Sequence, residues 1–165
     1  MYYFYFDASA LAKRYIEETG SDKIDFLFSN VSLERLRCLT IGVMEVFWIC
    51  VRKKNDGRIS VSQFAESTTY LKSEIVDAQS NFRKISVPDS LVWDSMALIE
   101  THSLNSVDAI VLRSALDTAA ELRNTTDTLV LVASDQRLLR AARSEGLQVF
   151  NPELDSQQTL TDWIT

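Results

Sequence analysis

The sequence predicts an α/β fold in which a parallel sheet carries helices on both faces. Short strand-like segments alternate with helical ones along the 165 residues, which is the pattern of successive β-α units. The segment TLVLVA at 128–133 is apolar without alternation, as expected of a strand that is buried on both sides. No repeat, low-complexity tract or linker interrupts the chain, so we expect one domain over residues 1–165.

The first third of the chain begins with a strand and ends in a turn. The aromatic run YYFYF is typical of a buried strand, and the glycine and serine at positions 20 and 21 mark a helix boundary. The predicted elements are a strand at 2–6, helices at 10–18 and 21–28, a strand at 37–40, an apolar helix at 41–54 and a turn at 55–57.

The rest of the chain repeats this alternation. Apolar residues at helical spacing predict a helix at 60–78, and proline closes the next strand. The predicted elements are a strand at 83–87, helices at 89–101 and 106–122, a strand at 128–133, a helix at 135–145, a strand at 147–150 and a short helix within 154–164.

Charge and composition exclude several classes of protein. Acidic residues outnumber basic ones by 23 to 17, for a net charge of −6, which argues against broad binding to nucleic acid or anionic membranes. The N-terminus has no basic signal-peptide region, and the longest uncharged stretch is 26–33, too short for a membrane helix of ~20 residues. We expect Cys38 and Cys50 to be buried free thiols, which fits a cytoplasmic location.

The residue inventory also removes common catalytic chemistries. The four glycines are too scattered for a dinucleotide-binding or Walker A loop. His102 is the only histidine and no GxSxG surrounds a serine, so a Ser-His-Asp hydrolase is excluded. One histidine and two cysteines do not supply four nitrogen and sulfur ligands for a zinc site. Chemistry in this protein would therefore rest on carboxylates.

Four acidic residues lie near predicted helix starts or on an apolar helix, where they could have a structural or a functional role. Asp7 and Asp135 each follow a strand and precede a helix, where an acid also serves as an ordinary N-cap. Asp108 lies near a helix start and could belong to a capping arrangement with Asn105. Glu45 lies on an apolar helix with no basic residue within one turn, so it needs a distant partner or a metal.

Together these acids suggest a metal site. The carboxyl ends of parallel strands lie at one edge of a sheet, where all four side chains could gather. Clustered carboxylates repel one another unless cations are present. An all-oxygen ligand set suits Mg²⁺ or Mn²⁺, either of which can activate water beside a phosphodiester.

Over nearly its whole length the chain resembles the PIN-domain family, and within it the VapC-like ribonuclease toxins of toxin–antitoxin pairs. The resemblance rests on YFDASALAKRY, on the acid in IGVMEVFWI, on LNSVDAIVLRSAL and on LVLVASDQRLLRAARSEGLQVFNP. It implies a PIN-like three-layer fold with a five-stranded parallel sheet. It also implies a Mg²⁺- or Mn²⁺-dependent endoribonuclease that is often a homodimer and is held inactive by a cognate antitoxin protein.

The resemblance assigns roles to particular residues. The family's metal-binding and catalytic acids correspond to Asp7, Glu45, Asp108 and Asp135, with Glu45 binding or orienting metal-bound water. In-line attack of that water on phosphorus would expel the 3′ oxygen and leave a 5′ phosphate. Polar neighbours that would support the site are Ser9, Asn105 and Ser134, and candidate contacts to RNA phosphates are Lys13, Arg14, Arg137 and Arg140.

Two other functions stay open. FDAS after the first strand is similar to the nucleophile motif of haloacid-dehalogenase-like phosphatases, although Ser9 stands where those enzymes carry a second acid. A PIN-like module that has lost catalysis and only binds protein is the other alternative. A protein-binding groove in the middle helical region, for an amphipathic antitoxin helix, is suggested by the large aromatics Phe47, Trp48, Phe64, Tyr70, Trp93 and Trp163.

Overall fold

The fold is built around a parallel sheet. The structure is a computed structural model and describes residues 1–164. Within these residues there are five strands: β1 (Tyr2–Phe6), β2 (Leu36–Leu39), β3 (Arg83–Ile85), β4 (Thr128–Val132) and β5 (Gln148–Phe150). Every adjacent pair is parallel, in the order β3-β2-β1-β4-β5. The predicted α/β fold with a five-stranded parallel sheet flanked by helices is confirmed.

Helices connect the strands and follow the last one. They are α1 (Ala8–Leu11), α2 (Ser21–Asn30), α3 (Thr40–Asn55), α4 (Val61–Leu71), α5 (Asp89–Asp94), α6 (Met96–His102), α7 (Ser106–Arg123), α8 (Gln136–Ser144) and α9 (Gln157–Ile164). Short 3₁₀ turns lie at Ala12–Arg14 and Leu33–Arg35, and a π-helical segment at Lys72–Val76 continues α4. In the described part of the chain, no helix combines the length and apolarity needed to cross a bilayer.

Alternating side chains of the central strand enter two separate cores. Phe4 and Phe6 of β1 are buried against one layer, which includes residues of α1, α2 and α3. Tyr5 points to the opposite face, where α5, α6, α7 and α8 contribute the buried apolar residues. The sheet is therefore covered on both faces, which is why its central strands lack a polar side.

The strand order reverses direction between β1 and β4. The chain moves from β1 outward to β2 and β3, then returns to β4 on the other side of β1 and continues outward to β5. In open parallel sheets, ligands bind at such a switch point, outside the carboxyl ends of the strands. Asp7 immediately follows β1 and Asp135 lies shortly after β4, so the topology brings these two acids to neighbouring strand ends.

The helix predicted at 10–18 is shorter and begins earlier. Regular helix ends at Leu11 and passes into the 3₁₀ turn that finishes at Arg14. Ser21 Oγ donates to the carbonyl oxygen of Lys13 at 2.7 Å, which satisfies an acceptor near the end of this segment. Gly20, predicted to stop that helix, instead precedes α2 at φ 90°. An added Cβ at Gly20 would lie 2.4 Å from the carbonyl oxygen of Pro152, so glycine is required there.

The helix predicted at 89–101 is two helices. Ser95 Oγ donates to the carbonyl oxygen of Leu91 at 2.6 Å, and serine side chains that bond back to the helix in this way favour a bend. α5 ends just before Ser95 and α6 begins just after it. The start of the helix predicted at 60–78 agrees closely with the structure: Ser60 caps α4 through a reciprocal capping box with Gln63.

The large aromatic residues do not form one groove. Phe47 of α3 and Phe64 of α4 meet edge-to-face with ring centroids 6.0 Å apart, joining the two helices. Trp163 stacks on Tyr2 at 5.6 Å, with an angle of 18° between the ring planes. Phe47, Phe64 and Trp163 therefore contribute to packing between elements of the fold. Trp48 is 57% exposed and Trp93 is 64% exposed, so tryptophans are present at the surface, on α3 and α5.

Candidate active site

Asp7 is fixed at the end of β1 by backbone and side-chain hydrogen bonds. Its amide donates to the carbonyl oxygen of Val132 at 3.0 Å, which extends the β1–β4 ladder by one residue. Its side chain caps α1, accepting from the amide of Ser9 at 3.0 Å. Asp7 is only 7% exposed. The ordinary capping role predicted for this acid is therefore real, and it fixes the carboxylate at the start of α1.

Ser9 links the two neighbouring strand ends. Its hydroxyl donates to Asp7 Oδ2 at 2.5 Å and accepts from the amide of Ser134 at 3.0 Å. Ser134 follows β4 by two residues, so one hydroxyl joins the segments after β1 and β4. Ser134 Oγ is buried and has no hydrogen bond of normal geometry with the described residues. The two serines predicted to support the acids thus lie together at the switch point.

Asp135 caps the helix that follows β4. Its Oδ1 accepts from the amides of Arg137 and Leu138 at 2.7 and 2.9 Å. Two amide bonds to one oxygen hold the side chain at the N-terminus of α8, where the helix dipole favours negative charge. Oδ2 takes no part in this cap. The acid therefore serves as a cap through one carboxylate oxygen and leaves the other outside the cap.

Glu45 and Asp108 come from opposite layers. Glu45 lies on α3, whose buried residues pack into the core that contains Phe6. Asp108 lies in the first turn of α7, whose residues pack into the other core. The predicted Asn105 cap is present: Asn105 Oδ1 accepts from the amide of Asp108 at 2.9 Å, and Asn105 Nδ2 donates to Asp108 Oδ2 at 2.8 Å.

The four acids interact through their charges. Burial, and then the charges of Asp7 and Asp108, raise the pKa of Glu45 to about 7. Burial, and then the charges of Asp7 and Asp135, raise the pKa of Asp108 to about 6, against opposing effects of Arg137 and Asn105. Burial also raises the pKa of Asp7, with a further contribution from Asp135. Because each of the four acids raises the pKa of another acid or has its own pKa raised by one, the predicted quartet forms one electrostatic cluster.

The donor chemistry of this cluster suits a hard cation, but its side chains are not closely grouped. Carboxylate oxygens are the ligands that Mg²⁺ and Mn²⁺ prefer, and raised pKa values indicate that a positive charge would be stabilised there. Across residues 1–164, however, no three acidic, histidine or cysteine side chains are arranged to hold a metal ion as they stand. Capping bonds at Asp7 and Asp135 orient those carboxylates, so shared coordination would require side-chain movement.

Lys13 and Arg14 do not present free charges to a substrate, which corrects their assignment as phosphate contacts. Lys13 is 4% exposed, and its Nζ lies 2.7 Å from Glu153 Oε1 and 3.6 Å from Glu18 Oε2. Arg14 donates to both carboxylate oxygens of Glu74, at 3.1 and 2.8 Å. Buried and part-buried cations that are already paired with carboxylates are structural.

Arg14 belongs to a network that sequence reasoning did not find. Its Nη1 lies 2.7 Å from Asp25 Oδ1, and the guanidinium stacks over Phe28 with 4.8 Å from Cζ to the ring centroid. Tyr15 donates to Glu74 Oε2 at 3.0 Å, and Tyr70 also bonds to Glu74 and Arg14. Glu74 lies 60 residues from Arg14 in the chain, so no local sequence signal joins them.

Arg137 and Arg140 remain available at the surface of α8. The Arg137 side chain is 48% exposed, and its Nη2 lies 4.0 Å from Asp108 Oδ2. Arg140 is exposed and has no ion pair with the described residues. Arg137 therefore stands directly beside the acidic cluster, while Arg140 lies one turn further along the same helix.

Comparisons with known proteins establish the fold and little else. No known family profile matches the chain, and no curated protein matches it. Among solved structures, the chain is similar to the crystal structure of PAE2754 from Pyrobaculum aerophilum, with a TM-score of 0.59 and 18% identity over 98% of this chain and 94% of that one. This similarity agrees with the three-layer α/β architecture over the length of the chain.

Proposed function

We propose that this protein is a metal-dependent endoribonuclease of the PIN-domain type, and the toxin of a toxin–antitoxin pair. The observation that supports the proposal is the electrostatic coupling of Asp7 and Asp135, at the carboxyl ends of β1 and β4, with Glu45 on α3 and Asp108 on α7. The resemblance of the sequence to that family supplies the same four residues. A sheet-edge cluster of carboxylates at a topological switch point is where an α/β enzyme binds its ligand.

The chain's own residues suggest how the roles divide. Asp7 is the buried centre of the cluster and is held by Ser9. Asp108 and Asp135 lie beside it, and with Asp7 would hold one or two Mg²⁺ or Mn²⁺ ions. When bound, such an ion supplies charge neutralisation and an acidified water. Glu45, whose pKa of about 7 lies near neutral pH, is the residue suited to accept a proton.

RNA would approach along α8. Arg137 and Arg140 offer exposed guanidinium groups close to the acids, and guanidinium groups bind phosphate in a bidentate manner. A net charge of −6 weakens contacts elsewhere on the surface, so binding depends on this helix. Weak general attraction to RNA is consistent with a protein that cuts a restricted set of sites.

The direct test is cleavage of RNA by the purified protein with Mn²⁺ or Mg²⁺. We expect cleavage that leaves 5′ phosphates, that stops with chelator, and that falls at least about a hundredfold in Asp7→Asn, as the loss of an electrostatic catalytic group does. Asp22→Asn is the matched control, because Asp22 is exposed on α2. Equal activity in Asp7→Asn and Asp22→Asn would contradict the proposal and point to a contaminating nuclease.

A non-catalytic binding module is the second candidate, and two observations favour it. The acids are not arranged to hold a metal ion as they stand in residues 1–164. In addition, α3 exposes an apolar stripe beside Glu45, formed by Ile41 (37% exposed), Met44 (65%) and Trp48 (57%). A stripe at i, i+3 and i+7 fits another helix. We propose that it forms a homodimer contact or receives an amphipathic antitoxin helix.

Solution mass distinguishes these partners. If the stripe is the dimer contact, Trp48→Ser should convert a dimer to a monomer, whereas Trp93→Ser, which alters a tryptophan exposed on α5, should not. Co-purification with the protein encoded by the adjacent gene tests the antitoxin. A monomeric wild type that ignores that neighbour would contradict both partner proposals and leave the nuclease proposal standing.

The phosphatase alternative gains no support from the site. Its mechanism would use Asp7 as a nucleophile with a second acid two residues on. Position 9 is a serine whose hydroxyl donates a hydrogen bond to Asp7 and accepts one from the amide of Ser134. Detection of a stable phosphoryl adduct on Asp7 would support the phosphatase function.

A further inference from the structure

A cavity lies away from the acidic cluster, on the face of the sheet covered by α5 and α7. Its volume is about 340 Å³, within the range of small-ligand sites. Its base includes Arg37 of β2 and Arg83 of β3, and α7 contributes Ser114 and Thr118. None of the four acids of the proposed active site lines it.

The two arginines are forced side by side by the register of the sheet. Arg37 is the register partner of Tyr5 on one side and of Arg83 on the other, so the three side chains share one face. Tyr5 Oη donates to Ser114 Oγ at 2.8 Å, which ties this face to α7. Like charges directly opposite each other on adjacent strands are destabilising, so the pairing calls for a compensating group.

The charge of Glu121 offsets the pair only from a distance, since it favours the charged form of Arg37 without forming an ion pair. Neither the Arg37 nor the Arg83 side chain has a hydrogen bond or ion pair with another residue in 1–164. Arg37 Nε is buried without a hydrogen-bond partner, and the guanidinium lies over Tyr3, 4.6 Å from Cζ to the ring centroid. Burial, and the neighbouring charge of Arg83, also lower the pKa of Arg37, against opposing effects of Tyr3 and Glu121. A buried donor without an acceptor is costly.

The acids at the cavity define what else a ligand must carry. Asp94, Asp117 and Glu121 line the cavity, and Asp117 is already paired with Arg113. Asp94 and Glu121 are left as exposed acceptors. A polyanion such as an RNA strand would meet these charges unfavourably. A small molecule with one anionic group and several hydrogen-bond donors would match both parts of the cavity.

We propose that this cavity binds a small phosphate monoester, with the phosphate between Arg37 and Arg83 and the hydrogen-bond donors of the ligand facing Asp94 and Glu121. Two guanidinium groups surround a phosphate with charge-assisted, bidentate hydrogen bonds. A nucleoside monophosphate has this chemistry, since its sugar hydroxyls and base amino group are donors. The site is independent of the proposed nuclease chemistry.

Titration calorimetry with inorganic phosphate and with AMP, at constant ionic strength, tests the proposal. We expect saturable binding of both, with AMP the tighter. Arg83→Gln and Arg37→Gln should each weaken binding about ten- to a hundredfold, the effect of losing charged hydrogen bonds. Arg143→Gln, at an exposed arginine on α8, should bind as wild type does. Asp7→Asn should also bind normally, which separates this site from the acidic cluster.

Because Arg83 is exposed, its variant remains informative if Arg37→Gln fails to fold. Absence of saturable binding to the wild type at millimolar ligand would overturn the proposal, as would equal binding by Arg83→Gln and wild type. Phosphate binding as tight as that of AMP would overturn the role given to Asp94 and Glu121.

Discussion

Ser9 Oγ lies 2.5 Å from Asp7 Oδ2 and donates a hydrogen bond to it, while accepting another from the amide of Ser134. This single hydroxyl connects the residues that follow the two central strands at the point where the sheet reverses its order. It stabilises the charged form of a nearly buried carboxylate, since bonds from Ser9 lower the pKa that burial raises. Ser9 is therefore a positioning residue for the candidate active site.

Replacing Ser9 with alanine should weaken both the fold and the site. Ser9→Ala removes two hydrogen bonds and leaves the Ser134 amide without its acceptor, at a cost of about 1–2 kcal/mol in the free energy of unfolding. Nuclease activity should fall, with its pH profile shifted upward because the pKa of Asp7 rises further. Urea unfolding and a pH–rate profile measure these effects. The control is Ser73→Ala, whose hydroxyl donates to a backbone carbonyl at an exposed position. An unchanged pH–rate profile in Ser9→Ala would contradict the positioning role of Ser9.

The stability of the metal-free protein should depend on the titration of Glu45. Its pKa rises from 4.5 to about 7 in the folded protein, so the folded state binds its proton more tightly than the unfolded chain does. The resulting stability is fully present below pH ~4.5 and is lost as the pH rises through ~7. With chelator present, Glu45→Gln should therefore unfold less readily than wild type at pH 8, by about 1–2 kcal/mol after allowance for partial exposure.

Denaturant unfolding from pH 4.5 to 8 measures that difference. The matched control is Glu100→Gln, because Glu100 is an exposed acid on α6, and its curve should follow that of wild type. If Glu45→Gln and wild type lose stability in parallel over this range, Glu45 does not carry the raised pKa.

Divalent metal should raise the melting temperature, and more so at pH 8 than at pH 5. A cation that binds only the folded protein stabilises it by mass action, by ~2.7 kcal/mol at a hundred times its Kd. At pH 5 protons compete for Glu45 and Asp108, whose pKa values are about 7 and about 6. Thermal melts with Mn²⁺, Mg²⁺ or chelator address this. If metal raised the melting temperature of wild type and of Asp108→Asn equally, the metal would not bind at Asp108.

Replacing Arg14 should reduce the stability of the fold, whereas replacing Arg140 should weaken RNA binding. Arg14→Gln removes the partner of Asp25 and Glu74, so we expect a loss of about 2–4 kcal/mol in stability. Arg140→Gln removes an exposed charge and should leave stability within ~0.5 kcal/mol while weakening RNA binding and its salt dependence. Unfolding curves and RNA-binding isotherms at two salt concentrations separate the two. The reverse pattern would mean that the assignment of structural and substrate-facing arginines is wrong.

Local sequence patterns determined the elements of this fold. Continuous apolarity identified β4, the aromatic run identified β1, and the acids and asparagine before apolar helices identified the caps at Asp7, Asn105 and Asp135. These features act within a few residues, through side-chain burial and bonds to nearby amides. The same positions supplied the candidate acids, because caps at the carboxyl ends of parallel strands lie at one edge of the sheet.

Contacts between distant segments were decided only by the tertiary structure. Lys13 and Arg14 look like surface cations in sequence, yet acids as far away as Glu153 and Glu74 neutralise them. Similarly, the strand register places Arg37 beside Arg83, 46 positions further along the chain by their numbers. Charge pairing and desolvation depend on distance in space, whereas sequence patterns report neighbours along the chain. The acids could therefore be chosen from the sequence, but the partners of the cations could not.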